Sequence, residues 1–285
     1  MRVRVYSGLM PLAYRAIFAE WTSPIVLTGT LIVLGLVYTR GWLAIRKTRP
    51  SQFTLSRLAS FLLGLALIWL ALASPLDGFA DVLLSAHMVE HLLLMSFAPL
   101  LLLLGYPVVP LLRGLPRGIT VPLLGPLFRA RILRQFGHIL TAPLVAWLAM
   151  NLVFLGWHVP AAYDFALEHE RWHEFEHLCF LGTSILFWWP VIRPWPTRAY
   201  HSGWILLLYL VIADIVNTVL SAFLAFCDRP VYPYYLREPN PFRISPLSDQ
   251  RAGAVVMWVV GSLVFLVPAA VLTVQLLQRG HRNRI

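Results

Sequence analysis

The sequence predicts an all-α fold: a polytopic membrane helix bundle of seven transmembrane helices, N-terminus outside and C-terminus cytoplasmic. Three observations predict it. The 285 residues are 59% hydrophobic and 13% charged, against about 45–50% and about 25% in soluble domains. The apolar residues gather in long runs, giving a mean hydropathy of +0.71. The 23 basic residues, all Arg except Lys47, fall between those runs. A net charge of +10 spread in this way faces lipid headgroups and not nucleic acid.

A bilayer core needs about 20 mostly apolar residues per helix, and runs of that length satisfy their backbone in lipid only as helices. Seven qualify: 24–44, 58–76, 83–105, 139–157, 173–192, 204–226 and 252–277. The second is the shortest. Arg2, Arg4 and Arg15 precede a first run without a small-residue cleavage site, so it is expected to remain as a span. No linker, repeat or low-complexity tract interrupts the chain, and residues 1–285 are expected to form a single seven-helix transmembrane domain. The connections on the side of the C-terminal tail carry fifteen Lys and Arg, against eight on the other side. The positive-inside rule therefore sets the orientation. Asp77, Asp81, Asp164, Glu168, Glu170 and Glu174 all fall on the predicted outer side.

Two connections are longer than turns. In 113–138, Phe128, Ile132 and Phe136 share one helical face while Arg129, Arg131 and Arg134 lie elsewhere, as in a helix lying on the cytoplasmic leaflet. The outer connection 227–251 is rich in Pro and Tyr and reads as an ordered cap or, alternatively, a floppy loop. Cys179 and Cys227 permit at most one bridge, which excludes a disulfide framework and a Cys-rich zinc fold.

Five of the nine histidines fall near the outer ends of three successive spans. His87 and His91 lie four apart on span three, His158 closes span four, and His173 and His177, again four apart, open span five. Residues four apart share a helix face, so each pair can aim two imidazoles at one point. At 1.5 Å per residue His87 would lie about 6 Å and His91 about 12 Å below the start of their span. His158 and His173 are expected at the rim. A single helix-end His is ordinarily bonded to a carbonyl or water; two such pairs point to a metal, because ionisable groups inside a span are costly. Imidazole suits zinc, copper and iron alike. Met88, Met95, Met257 and Cys179 nearby favour the soft ion copper(I), although each could simply be packing.

Two other readings use the same residues. His87-Met88-Val89-Glu90-His91 fits the H-x-x-E-H pattern of inverted zinc proteases, and His173-Glu174-Phe175-Glu176-His177 fits that pattern and H-E-x-x-H. A haem-binding membrane cytochrome is the third class, with His91 and His177 as axial ligands and His138 and His201 near the opposite face. Deeper in the membrane lie Asn151, Asp214 and Asn217; an interhelical hydrogen bond or an ion path is expected there. Asp249-Gln250 is placed to cap the last span or to reach the outer metal region.

The run 74–107 (SPLDGFADVLLSAHMVEHLLLMSFAPLLLLLGYP) resembles the membrane-integral CtaG family of cytochrome c oxidase assembly factors. So do 157–167 (WHVPAAYDFAL), 173–190 (HEFEHLCFLGTSILFWWP) and 249–261 (DQRAGAVVMWVVG). Position 90, where that family more often carries Gln, is Glu. The resemblance implies a non-enzymatic, seven-span protein of the bacterial inner membrane that serves assembly of caa-type oxidase. It would take copper(I) from an extracytoplasmic donor and help it reach the oxidase catalytic subunit. Carried over, the metal ligands are His87, Met88, His91, His158, His173 and His177.

Overall fold

The computed structural model describes residues 24–282 except 117, 119, 121, 123, 124, 127–129, 198–201, 238, 239 and 241. The expectations placed on Arg2, Arg4, Arg15, Arg117, Phe128, Arg129, Arg198 and His201 lie outside the described residues. Thirteen helices and no strand appear among those that are described: α1 Ile25–Arg46, α2 Leu55–Leu72, α3 Pro75–Ala80, α4 Leu84–Leu92, α5 Ala98–Leu104, α6 Val108–Gly114, α7 Arg131–Leu140, α8 Pro143–Trp157, α9 Pro160–Leu167, α10 Glu170–Ile192, α11 Gly203–Phe226, α12 Tyr234–Arg237 and α13 Pro246–Arg282. A π-helical turn, Leu93–Phe97, joins α4 to α5 into one span.

Six helices are long and apolar enough to cross a membrane, and a seventh crossing exists if α7 and α8, bent by 63° between them, count as one. The chain is a multi-pass membrane protein. Apolar side chains such as Ile32, Leu36, Leu152, Val219 and Val259 stay exposed along these helices, where a soluble protein would set polar ones; lipid is their solvent. Part of the connection expected to be helical is the helix α7. None of its side chains is buried, Ile132 and Phe136 are exposed, and Pro143 at the start of α8 follows the sharp bend.

Packing follows from small residues where helices must approach closely. α1 crosses α6 with backbone against backbone: a Cβ on Gly41 would lie 1.8 Å from the Pro110 carbonyl oxygen, and one on Gly114 equally close to that of Val37. α11 and α13 pair along much of their length, and α13 also packs on α4. There Gly253 lies against Ser85 and Met88. Of the deep polar groups it is Asn217, not Asp214, that makes the interhelical bond, its Nδ2 donating to the Met257 carbonyl at 3.4 Å. Asn151 Nδ2 donates within its own helix to Trp147 O at 2.8 Å.

Candidate metal centre

α4 and α10 carry the same five-residue pattern of His, two intervening residues, Glu and His near their starts. His87 meets His173 as His91 meets His177, so the two helices run in the same direction. α4 is fixed at its start by a side chain from the far end of the chain. Asp249, in the first turn of α13, accepts from Leu84 N at 2.6 Å, Ser85 N at 3.2 Å and Ser85 Oγ at 2.5 Å. Free N–H groups at a helix start need such acceptors. The expected cap is thus found on the neighbouring helix and not on Asp249's own. Gln250 beside it binds the loop, accepting from Val231 N at 2.7 Å and donating to Leu224 O at 3.0 Å.

So anchored, α4 aims His87 and His91 at α10. The His87 ring is 4.1 Å from His91, 5.2 Å from His173 and 6.4 Å from His177, centre to centre. His91 is 5.6 Å from His177 and 6.3 Å from His158. All five predicted imidazoles therefore meet in one cluster. Four of them are buried, and only His173 is partly accessible.

His158 closes α8 as expected, being its C-cap, and is buried beside His91 and Phe180, 5% exposed. α8 has 15 residues, about 22 Å of helix, which falls short of the roughly 30 Å core. The short helix α9 then folds across its end. His158 Nδ1 faces the Phe154 carbonyl at 2.7 Å. A proton held there leaves Nε2 as a free lone pair, as a metal ligand requires.

Two acidic residues complete the cluster. Glu90 and Glu176 are 0% and 1% exposed, and neither has a hydrogen-bond partner on either carboxylate oxygen. They pair crosswise: Glu90 Oε1 lies 3.5 Å from His177 Nε2 on α10, and Glu176 Oε1 lies 3.7 Å from His91 Nε2 on α4. Those gaps are long for hydrogen bonds but suit two ligands of one ion. Donors about 2.1 Å from a tetrahedral cation stand about 3.4 Å apart. Ligand atoms of His87, His91 and Glu176 all fall within 4.8 Å of one another. Nitrogens of His87, His91, His158, His173 and His177 also lack partners. A buried, unpaired carboxylate costs several kcal/mol, so the residues present fit a cation well. In the sequence both glutamates entered as letters of a protease pattern, and Glu90 also as a departure from the related family's usual Gln. Their shared place, immediately before the second His, was the clue that they belong to one constellation.

Met88 is buried on α4 against α13, packed with Tyr163 and Tyr235. It borders a cavity beneath the imidazoles that His91 and His158 also line. Cys179 is half-buried and does not line that cavity.

The Pro/Tyr-rich connection is an ordered cap over this cluster. Tyr232 stacks on Tyr163 at 4.0 Å and its hydroxyl reaches His158 O at 3.4 Å. Tyr235 donates to Ala80 O at 3.0 Å, which leaves its oxygen to accept from Tyr163 Oη at 3.3 Å. Arg237 ties the cap to α9 through Asp164 at 3.3 Å and Glu168 at 2.7 Å. Burial pushes all three phenols above their ordinary range, so they stay neutral.

Asp77, in the first turn of α3, is pushed up to about 6 by burial, with Asp81 adding to the effect. A carboxyl raised on folding leaves stability intact below the unfolded value near 3.8. It then removes stability as the pH climbs through about 6. Asp77→Asn should therefore raise the thermal midpoint in detergent at pH 7.5, by the equivalent of about 1–2 kcal/mol, and change nothing at pH 3.5. A variant that melts with the wild type at pH 7.5 as well as at pH 3.5 would contradict this.

The family described as cytochrome c oxidase caa3 assembly factor matches residues 36–279. Uncharacterized proteins of Mycobacterium bovis and Mycobacterium tuberculosis are each 26% identical over 97% of this chain, and one of Mycobacterium leprae is 25% identical over 93%. The chain spans about two-fifths of the length of these relatives, 42%, 42% and 40%. No solved structure matches it.

Proposed function

This chain belongs to the cytochrome c oxidase caa3 assembly factor family, and from that premise we propose that it carries copper(I) to the oxidase catalytic subunit. The ion would be cargo, held by His87, His91, His158, His173 and His177, with Met88 as a sulfur ligand at the lower edge. The observation that carries this reading is the convergence of five imidazoles and two carboxylates whose buried ligand atoms have no partner within the protein. Membership in an assembly family favours a non-catalytic role.

By the positive-inside rule the histidine end would face the extracytoplasmic side, where a donor protein could present copper. His173, the accessible imidazole, would meet the ion first; the others lie progressively deeper. The Tyr163–Tyr232–Tyr235 cap covers the inner ligands and keeps bulk water from competing for the ion. Imidazole ligands suit transfer because an incoming ligand can add before another leaves. We read Glu90 and Glu176 as ligands or charge compensation, since each faces the other helix's imidazole at ligand spacing. A base that activates water would face an open coordination site instead. The haem reading has no comparable support: the space beside the imidazoles is about 30 Å³, room for a water or two and not for a macrocycle.

The test is copper retention by protein purified under reducing conditions. His87→Ala together with His91→Ala should lower it by more than about tenfold, and cells lacking the gene should assemble oxidase deficient in copper. Unchanged retention in the double variant would overturn the site assignment. Zinc in place of copper in the wild-type protein would overturn the choice of ion.

A further inference from the structure

Each of the four methionines among the described residues lines the same cavity. Met88 and Met95 reach it from the span that carries His87 and His91, Met150 from α8 and Met257 from α13. They are separated by as many as 169 positions in the chain, so no local pattern gathers them. The cavity lies directly under the imidazole cluster and shares two of its members, His91 and His158. Both present ring nitrogens that are buried and without a partner, as is Asn151 Oδ1 on the cavity wall.

Methionine often serves as an adaptable filler of irregular cores, and filling would be enough to explain one or two of these residues. Here the four methionines are among the residues that line an open space of about 30 Å³. That is ample for a single ion. Thioethers are weak hydrogen-bond acceptors but good ligands for soft cations. Met95 is presented from the π-helical turn Leu93–Phe97, and such turns inside α-helices are frequent at functional sites.

We infer that this cavity is a second copper(I) site, built from Met95, Met150 and Met257 with Met88, His91 and His158 at its border. It rests on the copper reading above and goes beyond it: the upper site is mainly nitrogen and oxygen with Met88 at its lower edge, the lower one is rich in sulfur. A copper(I) ion passing downward from the carboxylate-bearing cluster would exchange harder ligands for softer ones, with His91 and His158 common to both shells. The transfer changes ligands but not oxidation state. It also explains why the motif-bearing helices lead towards mid-membrane and do not close the site at the surface.

Extended X-ray absorption fine structure on the full-length protein loaded with copper(I), without oxygen and in reductant, tests this. Wild-type protein should bind at least two equivalents, with a sulfur shell in the copper spectrum. Met95→Leu with Met257→Leu, which nearly conserves volume, should shrink that shell markedly and lower retention by about one equivalent. It should leave the nitrogen shell in place. His87→Ala with His173→Ala, neither of which lines the cavity, should keep the sulfur-bound equivalent while losing the other. Absence of sulfur scattering in the wild-type protein, or a spectrum unchanged by the two Leu substitutions, overturns the second site whatever becomes of the first. Loss of nothing in the His variant, with sulfur scattering retained, overturns the upper site alone.

Discussion

Gly41→Ala should prevent stable assembly of the bundle, and Gly114→Ala should do the same from the other side of one contact. Each Cβ would stand 1.8 Å from a backbone carbonyl oxygen, Pro110 for Gly41 and Val37 for Gly114. No rotamer relieves a clash with backbone, so α1 and α6 must separate and the packing beside them opens. Overpacking ordinarily costs about 1–3 kcal/mol; a clash between two backbones should exceed about 3 kcal/mol. Gly29→Ala in the same helix meets nothing within 4 Å and provides the control, being neutral or slightly stabilising because Ala favours helix. Thermal unfolding in detergent, with yield in the membrane fraction, reads the difference. A Gly41→Ala protein melting within about 2 °C of the Gly29→Ala protein would mean that the crossing is wrongly placed.

Asp249→Ala is the second substitution with a large expected effect, and it acts on the ligands from a distance. It leaves two N–H groups and a hydroxyl at the start of α4 without their acceptor. Hydrogen bonds to a charged group are worth about 1.5–3 kcal/mol each, so the loss should reach about 3 kcal/mol or more. The first turn of α4 ends at His87, so fraying there should also weaken copper retention. Hydrogen exchange at Leu84 and Ser85 should speed up sharply, while amides in α10 stay protected. Ser85→Ala, which removes only the hydroxyl bond, should have a small effect on both measurements. Equal exchange in wild type and Asp249→Ala would show that the carboxylate does not hold this helix.

Much of the fold could be read from residue order, because hydropathy is a local property and span length is set by the bilayer. The i, i+4 spacing of His87 with His91 and of His173 with His177 likewise gave their shared faces. What could not be read depends on partners distant in the chain. Asp249 lies 164 and 165 positions from the groups it binds, so only the packing of α13 on α4 identifies its role. His158 could be placed at the end of its helix from the sequence, but its burial beside His91 depends on how α8 packs on α10. Glu90 and Glu176 were visible as motif letters, but their crosswise partners depend on two spans lying parallel. Met150 carried no mark of function until the other methionines were found around the same space.

Since each carboxylate belongs to one span and faces the imidazole of the other, neither span by itself holds a finished ligand set. The coordination shell is a matter of phase between two parallel rods. Axial slippage by a single turn, about 5.4 Å, would carry Glu90 away from His177 and Glu176 away from His91 together. Under the proposed function, grip on the ion would therefore be coupled to helix alignment, and a docking partner that nudged either rod would loosen both halves at once.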